Sequence, residues 1–152
     1  MNNIADKTTF WSFLGQTSIV IPKLQRDYAQ GRKGKESIRE NFLSSIKKAL
    51  DSDRQLKLDF VYGTSDDGWH FNPLDGQQRL TTLWLIHWYL AFRTDNLEDD
   101  DTRNRLLRFT YETRVSSRQF CEKLVKLGHT IRVKDKENIA DAILRQSWMY
   151  KA

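Results

Sequence analysis

A single cysteine, Cys121, excludes an intrachain disulfide, and no Cys/His spacing of a structural metal site is present. Proline occurs twice and glycine seven times in 152 residues. No flexible linker, low-complexity tract or internal repeat therefore divides the chain. Long hydrophobic runs are also missing. The longest apolar stretch, Leu83 to Phe92, is interrupted by His87 and falls short of the ~20 residues a bilayer-spanning helix needs. The N-terminus lacks the basic-then-apolar pattern of an export signal. The expected compartment is the cytoplasm, with no membrane partner.

What is present is an ordinary globular mixture, 39% hydrophobic and 30% charged. The length suits one domain, or one domain with an appendage, and can bury a core without metals or disulfides. The net charge of +5 pulls mildly toward phosphate-bearing partners, although a solvated basic surface gives the same number. The charge is uneven. Residues 23 to 39 carry Lys23, Arg26, Arg32, Lys33, Lys35 and Arg39 against Asp27 and Glu36. Residues Glu98, Asp99, Asp100 and Asp101 form an acidic run that reads as a solvated loop.

Local patterns give a coarse order of elements. Phe10, Trp11, Phe13 and Leu14 suggest a short helix over residues 8 to 15. Ser18 to Ile21 is a β-branched run closed by Pro22, hence a strand. From Glu36 a helix is expected, with Ile38, Phe42, Ile46 and Leu50 at helical spacing. Alternation of Leu56, Leu58, Phe60 and Tyr62 predicts a strand, and Trp69 to Phe71 a second one, joined as a hairpin across Asp66-Asp67-Gly68. Gln78 to Arg93 reads as a long helix that is apolar on most sides, central and buried, with His87 as a core histidine holding one hydrogen bond. Leu106 to Tyr111 suggests a strand. Ser116-Ser117-Arg118-Gln119 looks like a capping box opening a helix that Gly128 stops. Asp135 is the expected cap of a last helix holding Ile139, Ile143 and Leu144. Trp148-Met149-Tyr150 suggests a missing partner surface and a truncation, with a tail docked on its own domain as the alternative.

The strongest local signal is Leu74 to Leu83, LDGQQRLTTL. It describes a strand end, a turn and a helix start. A glycine there lets a ligand approach the backbone. The first helical turn directs amide N–H groups outward, and its dipole favours an anion. Arg79 adds a planar fork of donors suited to phosphate oxygens, while Gln77 and Gln78 offer uncharged hydrogen bonds. Asp75 either caps the helix or helps hold a divalent cation that bridges to phosphate. A plain capped helix with Arg79 in a surface salt bridge fits the same residues. A second segment, Ile21-Pro22-Lys23-Leu24-Gln25-Arg26-Asp27-Tyr28, delivers Gln25, Arg26 and Tyr28 from a strand end. That mixture suits phosphate, ribose and base contacts.

Together the two segments resemble the N-terminal domain of the GmrSD-type restriction endonucleases, in which an I-P-x-x-Q-R-x-Y segment accompanies D-G-Q-Q-R-L-T-T-L. The resemblance by motif covers roughly residues 8 to 95, and Tyr111 to Arg114 and Ser116 to Cys121 look like further elements of one branch of that family. Many members carry Trp soon after the motif tyrosine, where this chain has Ala29-Gln30-Gly31-Arg32. The resemblance implies an α/β (α+β) ParB/sulfiredoxin-like fold, a small mixed sheet with packed helices. It implies a nucleotide-binding core over 1–95 and a helical extension over 96–152, expected to be truncated before a C-terminal nuclease region. It also implies a nucleoside triphosphate with Mg2+ as cofactor, contacted by Gln25, Arg26, Gly76, Gln77, Gln78 and Arg79. Asp75 and Arg79 would be the catalytic pair of a metal-dependent triphosphatase, Asp75 reaching the metal through the nucleotide. The implied role is a regulatory module in restriction of modified phage DNA.

The family's DNA-cutting centre is a separate His-Asn-His-type domain, and His70, His87 and His129 stand in unrelated contexts here. The competing reading is a non-catalytic module that senses DNA or a modified base, with a degenerate nucleotide site. In that case Lys23, Tyr28, Arg32, Lys33 and Lys35 would contact nucleic acid, with Tyr28 or Trp69 stacking on a base. Redox repair of the sulfiredoxin kind is disfavoured, because the motif carries glutamines and Cys121 lies among apolar neighbours, the setting of an inert buried thiol. Association into a homo-oligomer is left open.

Overall fold

A computed structural model of the chain describes residues 7–22, 36–58, 60–65, 68–112 and 115–149. Helix α1, Phe10–Gln16, starts where the Thr9 hydroxyl accepts from the Ser12 amide. Strand β1, Ser18–Ile21, follows at once and buries alternate residues, Ile19 and Ile21. Helix α2 spans Glu36–Asp51. Strands β2, Gly63–Thr64, and β3, His70–Pro73, form a hairpin. Helix α3, Gln77–Arg93, is the longest element. Helix α4, Asp100–Leu106, strand β4, Phe109–Tyr111, and helices α5, Val115–Leu127, and α6, Ile139–Leu144, complete the order. The result is an α+β fold around one small mixed sheet.

The sheet order is β2-β3-β1-β4. β1 lies parallel to both β3 and β4, while β2 runs antiparallel to β3. Parallel neighbours need crossovers, and helices supply them. The core is packed by Trp84 and Trp88 of α3. The Trp84 indole N–H donates to the Leu106 carbonyl at 2.9 Å, and that of Trp88 to Leu124 at 2.9 Å. Each ring is thus buried with its one polar atom satisfied. Residues on both sides of position 95 share this core: Leu14, Ile19 and Leu80 pack with Leu97, Phe109, Leu124 and Val125. Gly128 follows α5, where an added Cβ would lie 2.7 Å from Leu97 Cδ1. It is close packing, rather than a left-handed turn, that calls for glycine at that point.

Several expectations are corrected. Residues 60–62 are not a strand; the pairing begins only at Gly63, opposite Pro73. Alternation marks an extended segment, but a ladder needs a partner, and β3 gives way after Pro73 to the turn that starts α3. The acidic run is not a loop. Asp99 caps α4 by accepting from the Thr102 amide at 2.8 Å, and that bond holds its carboxyl below the usual range. Asp100 and Asp101 occupy the first turn, where the helix dipole favours them, and Asp101 pairs with Arg105 at 2.8 Å. The expected strand from Leu106 therefore begins at Phe109. α6 is capped by Asn138, not Asp135. α3 is central, packed by α1 and α4, yet Leu85, Tyr89 and Leu90 on it are exposed. The apolar stripe of α2 forms as expected, but none of its residues is buried. Trp148 packs against the core, with its carbonyl accepting from Lys123 at 2.9 Å, as a docked tail does.

One surface pair fastens the last helix. The Arg145 guanidinium bonds both carboxylate oxygens of Glu137, at 3.0 and 2.9 Å, and the Lys134 amide adds a third bond at 2.8 Å. The Arg145 hydrogen bond is the main reason that the Glu137 carboxyl falls from 4.5 to about 2. A depressed carboxylate stabilises the fold above its unfolded value, and the contribution disappears as pH falls through the folded one. Between about pH 4.5 and 2, wild type should therefore lose more stability than Glu137→Gln in urea melts. Parallel losses would show that the pair contributes nothing.

Candidate functional site

The two parallel pairings give the sheet one edge at which three strands end together. Ser18 aligns with His70 and Ile19 with Phe71 on one side, and Ile21 with Tyr111 on the other. The chain thus leaves β1 at Pro22, β3 at Pro73 and β4 at Tyr111 along the same edge. Ligands of open α/β sheets commonly bind at the carboxyl ends of parallel strands. Pro22 belongs to the first motif, and Leu74 to Leu83 is the second. Lys23, Gln25, Arg26, Tyr28, Arg32, Lys33 and Lys35 lie outside the described residues, so the structure describes only the start of the first motif.

The second motif is described in full. Gly76 is the N-cap of α3, with φ +79°, a conformation that penalises any side chain. A Cβ there would also stand 2.8 Å from Val61 Cγ2. Two independent constraints thus make this position a glycine. Gly76 itself offers no side chain to cap α3. The Asp75 carboxylate lies 3.6 Å from Arg79 Nη2, the salt bridge that also fits a plain surface helix. Arg79 also donates to the Phe60 carbonyl at 2.8 Å, with only 22% of its side chain exposed. The guanidinium is held in place at the mouth of the turn by these contacts. Residues 60–62 form the wall opposite: the Tyr62 carbonyl accepts from the amides of Leu74, at 2.9 Å, and Asp75, at 3.2 Å. The Gln77 side chain donates to the Pro73 carbonyl at 2.9 Å and so closes the turn. The carbonyls of Gln77 and Gln78 accept from the Thr81 and Thr82 hydroxyls, both at 2.9 Å, which gives the two threonines of the motif a local role. Thr81 also reaches the Tyr111 hydroxyl at 3.5 Å, joining α3 to the end of β4.

Phe60 and Val61 are parts of the site that residue type does not reveal. The period-two pattern marked them as extended, but nothing in it says that the segment passes over the start of α3. His87 keeps the one expected hydrogen bond but is half-buried at the edge of the core rather than within it. Its Nδ1 bonds the Leu83 carbonyl at 2.8 Å and its ring stacks on Trp11. Cys121 is buried, and desolvation pushes its thiol up to about 12, the state of an unreactive side chain. An open cleft of about 510 Å3 lies at the far end of α3, lined by Arg93 and Arg132 together with Asp95 and Glu98. Its charges largely offset one another, and neither motif reaches it.

The donor set can be tested against the nucleotide and magnesium that the sequence resemblance implies. Among the described residues, no three His, Cys, Asp or Glu side chains come together to hold a metal. Magnesium bound to nucleotides needs less, since it takes one or two carboxylates and completes its shell with phosphates and water. Asp75, about half exposed beside Arg79, fits that requirement. No helix among the described residues is long and apolar enough to cross a membrane.

No curated protein and no solved structure matches the chain. A family model does, that of the GmrSD restriction endonuclease N-terminal domain, over residues 10–147. The match runs well past the two motifs, through α5 and α6, and so covers the shared core as well as the turn at Gly76. The chain therefore belongs to the GmrSD restriction endonuclease N-terminal domain family.

Proposed function

We propose that this domain is the nucleotide-handling module of a restriction system directed at modified phage DNA. It would bind a nucleoside triphosphate with its phosphates against the start of α3. The observation that carries this reading is the shared sheet edge, where the chain enters the first motif at Pro22 beside the turn that holds Gly76 and Arg79. The N-terminus of a 17-residue helix and a fixed guanidinium both attract a polyanion. Gly76, Gln77, Gln78 and Arg79 form the phosphate side of the site. Gln25 and Arg26 contact the nucleotide from the first motif. Asp75 would hold the magnesium that accompanies the nucleotide. Magnesium, when bound, supplies charge neutralisation at the phosphoryl oxygens. Arg79 would stabilise charge that develops on the phosphoryl group, and Asp75 would hold the metal or a water. Cutting of DNA belongs to another domain of the full-length protein, which this module would regulate.

The test is calorimetric titration with each of the four ribonucleoside triphosphates, with and without magnesium. At least one should bind, and Arg79→Ala should weaken it at least about tenfold, as loss of a charge-assisted pair does. A thermal melt of the variant checks that the domain stays folded. Unchanged affinity in folded Arg79→Ala would contradict the assignment. Absence of binding to every nucleotide would favour a DNA-sensing module with a degenerate site.

A further inference from the structure

The end of β4 is the third strand terminus at the shared sheet edge, and neither motif supplies it. Tyr111 closes that strand. In the parallel ladder it stands opposite Ile21, the residue that opens the first motif, and the next amide, that of Glu112, donates to the Ile21 carbonyl at 2.9 Å. Alternation turns the Tyr111 side chain to the same face of the sheet as Phe109. The two rings meet edge to face, with centroids 5.8 Å apart at 86°, so the half-buried phenol is braced by a core residue. Its hydroxyl comes to 3.5 Å from the Thr81 hydroxyl of the second motif. Tyr111 thus adjoins both motifs, one through the backbone ladder and the other through its phenol. Thr81 fixes where that phenol stands. Helical side chains lie over the turn that precedes them, and the Thr81 hydroxyl donates back to the Gln77 carbonyl at 2.9 Å. The phenol oxygen is therefore two hydrogen-bond lengths from the first residue of α3. Thr81 has given its one proton to Gln77, so in the contact with Tyr111 it accepts and the phenol donates. At 3.5 Å that bond is long, against about 2.7–2.8 Å for two hydroxyls. An anionic oxygen draws the same proton more strongly than a hydroxyl does.

We propose that Tyr111 is a binding residue for the phosphate chain, its phenol donating to a phosphate oxygen held at the start of α3. This role rests on the phosphate site described above and gives the third strand a part in it. Arg79 and Thr81 are two residues apart on α3, which separates them by about 200° around the helix. The guanidinium and the phenol therefore flank the first turn from opposite sides. One contributes charge, and the other a neutral donor that leaves the charge balance of the site unchanged.

Tyr111→Phe keeps the ring and its contact with Phe109 and removes only the hydroxyl. Thr81→Ala removes the hydroxyl that the phenol meets within the domain. Wild type, these two variants and Arg79→Ala are titrated calorimetrically with inorganic tripolyphosphate and with each of the four ribonucleoside triphosphates, and urea melts check that each is folded. Tyr111→Phe should weaken tripolyphosphate and triphosphate alike by about tenfold, the scale of one hydrogen bond to a charged group. Thr81→Ala should bind both within about threefold of wild type. Unchanged affinity in Tyr111→Phe would overturn the proposal. Equal weakening in Thr81→Ala would overturn it too, because the link between the two hydroxyls would then be positioning α3. Weakening of the triphosphates alone would place the phenol on the sugar or base and sink the phosphate contact. Arg79→Ala separates this role from the site it rests on. If Arg79→Ala weakens both probes and Tyr111→Phe does not, the phosphate site stands and the role of Tyr111 falls. If Tyr111→Phe weakens them and Arg79→Ala does not, Tyr111 keeps its role and Arg79 loses its own. If neither probe binds wild type, both fall.

Discussion

Replacing Trp84 with alanine should destabilise the domain by about 3–5 kcal/mol, the usual range for a buried aromatic cut back to a methyl. Trp84 is 1% exposed, stacks on Phe109 with ring centroids 5.4 Å apart, and spans the gap between α3 and the end of α4. Its loss removes apolar contact on every side and leaves the Leu106 carbonyl without the indole N–H, a further cost of about 1–3 kcal/mol if nothing replaces it. Domains of this size are stable by only about 5–15 kcal/mol, so Trp84→Ala is expected to be largely unfolded or to melt far below wild type. Trp84→Phe keeps most of the ring and should lose much less. A urea titration of the three proteins checks the order. Equal midpoints for Trp84→Ala and wild type would show that the ring does not carry the core.

Gly76→Ala is expected to be the second most damaging change, and it strikes the site as well as the fold. The left-handed conformation alone costs a non-glycine residue about 1–2 kcal/mol. The new methyl must also displace Val61, which overpacking data place at about 1–3 kcal/mol more. The turn can relax only by moving residues 60–62 away, and that takes the Phe60 carbonyl from Arg79. Nucleotide affinity should therefore fall together with stability. Gly76→Ala combined with Val61→Ala separates the two causes, since it removes the Val61 methyl at 2.8 Å and leaves the strained φ. The double variant should recover the packing part of the loss only. Full recovery would mean that the backbone conformation is not a constraint.

Much of this architecture is legible in the residues themselves. β1 ends where Pro22 ends it, and α3 starts after the only glycine in its motif, because proline and glycine act through the backbone and need no distant partner. Cys121 is legible for a similar reason: its apolar surroundings are already present along the chain. The failures concern partners far apart in sequence. Leu56 to Tyr62 carries a period of two, but only β3 could convert it into a ladder, and β3 stops at Pro73. The acidic run at Glu98 to Asp101 looks like solvated loop by composition. Its order nevertheless obeys capping logic, with Asp99 reaching Thr102 and Asp101 set four residues before Arg105. In the site, Gly76 and Arg79 are visible from sequence, whereas the Phe60 carbonyl that fixes Arg79 is not, since a backbone acceptor leaves no mark on residue type.

Locating the bound anion decides whether phosphates sit at the start of α3. Backbone amide resonances of the domain, followed by NMR during titration with tripolyphosphate, report where the phosphates bind. The largest shifts should fall at Gly76, Gln77, Gln78 and Arg79, and Arg79→Ala should abolish them. Shifts that leave the start of α3 untouched and gather instead at the cleft of Arg93 and Arg132 would contradict that location.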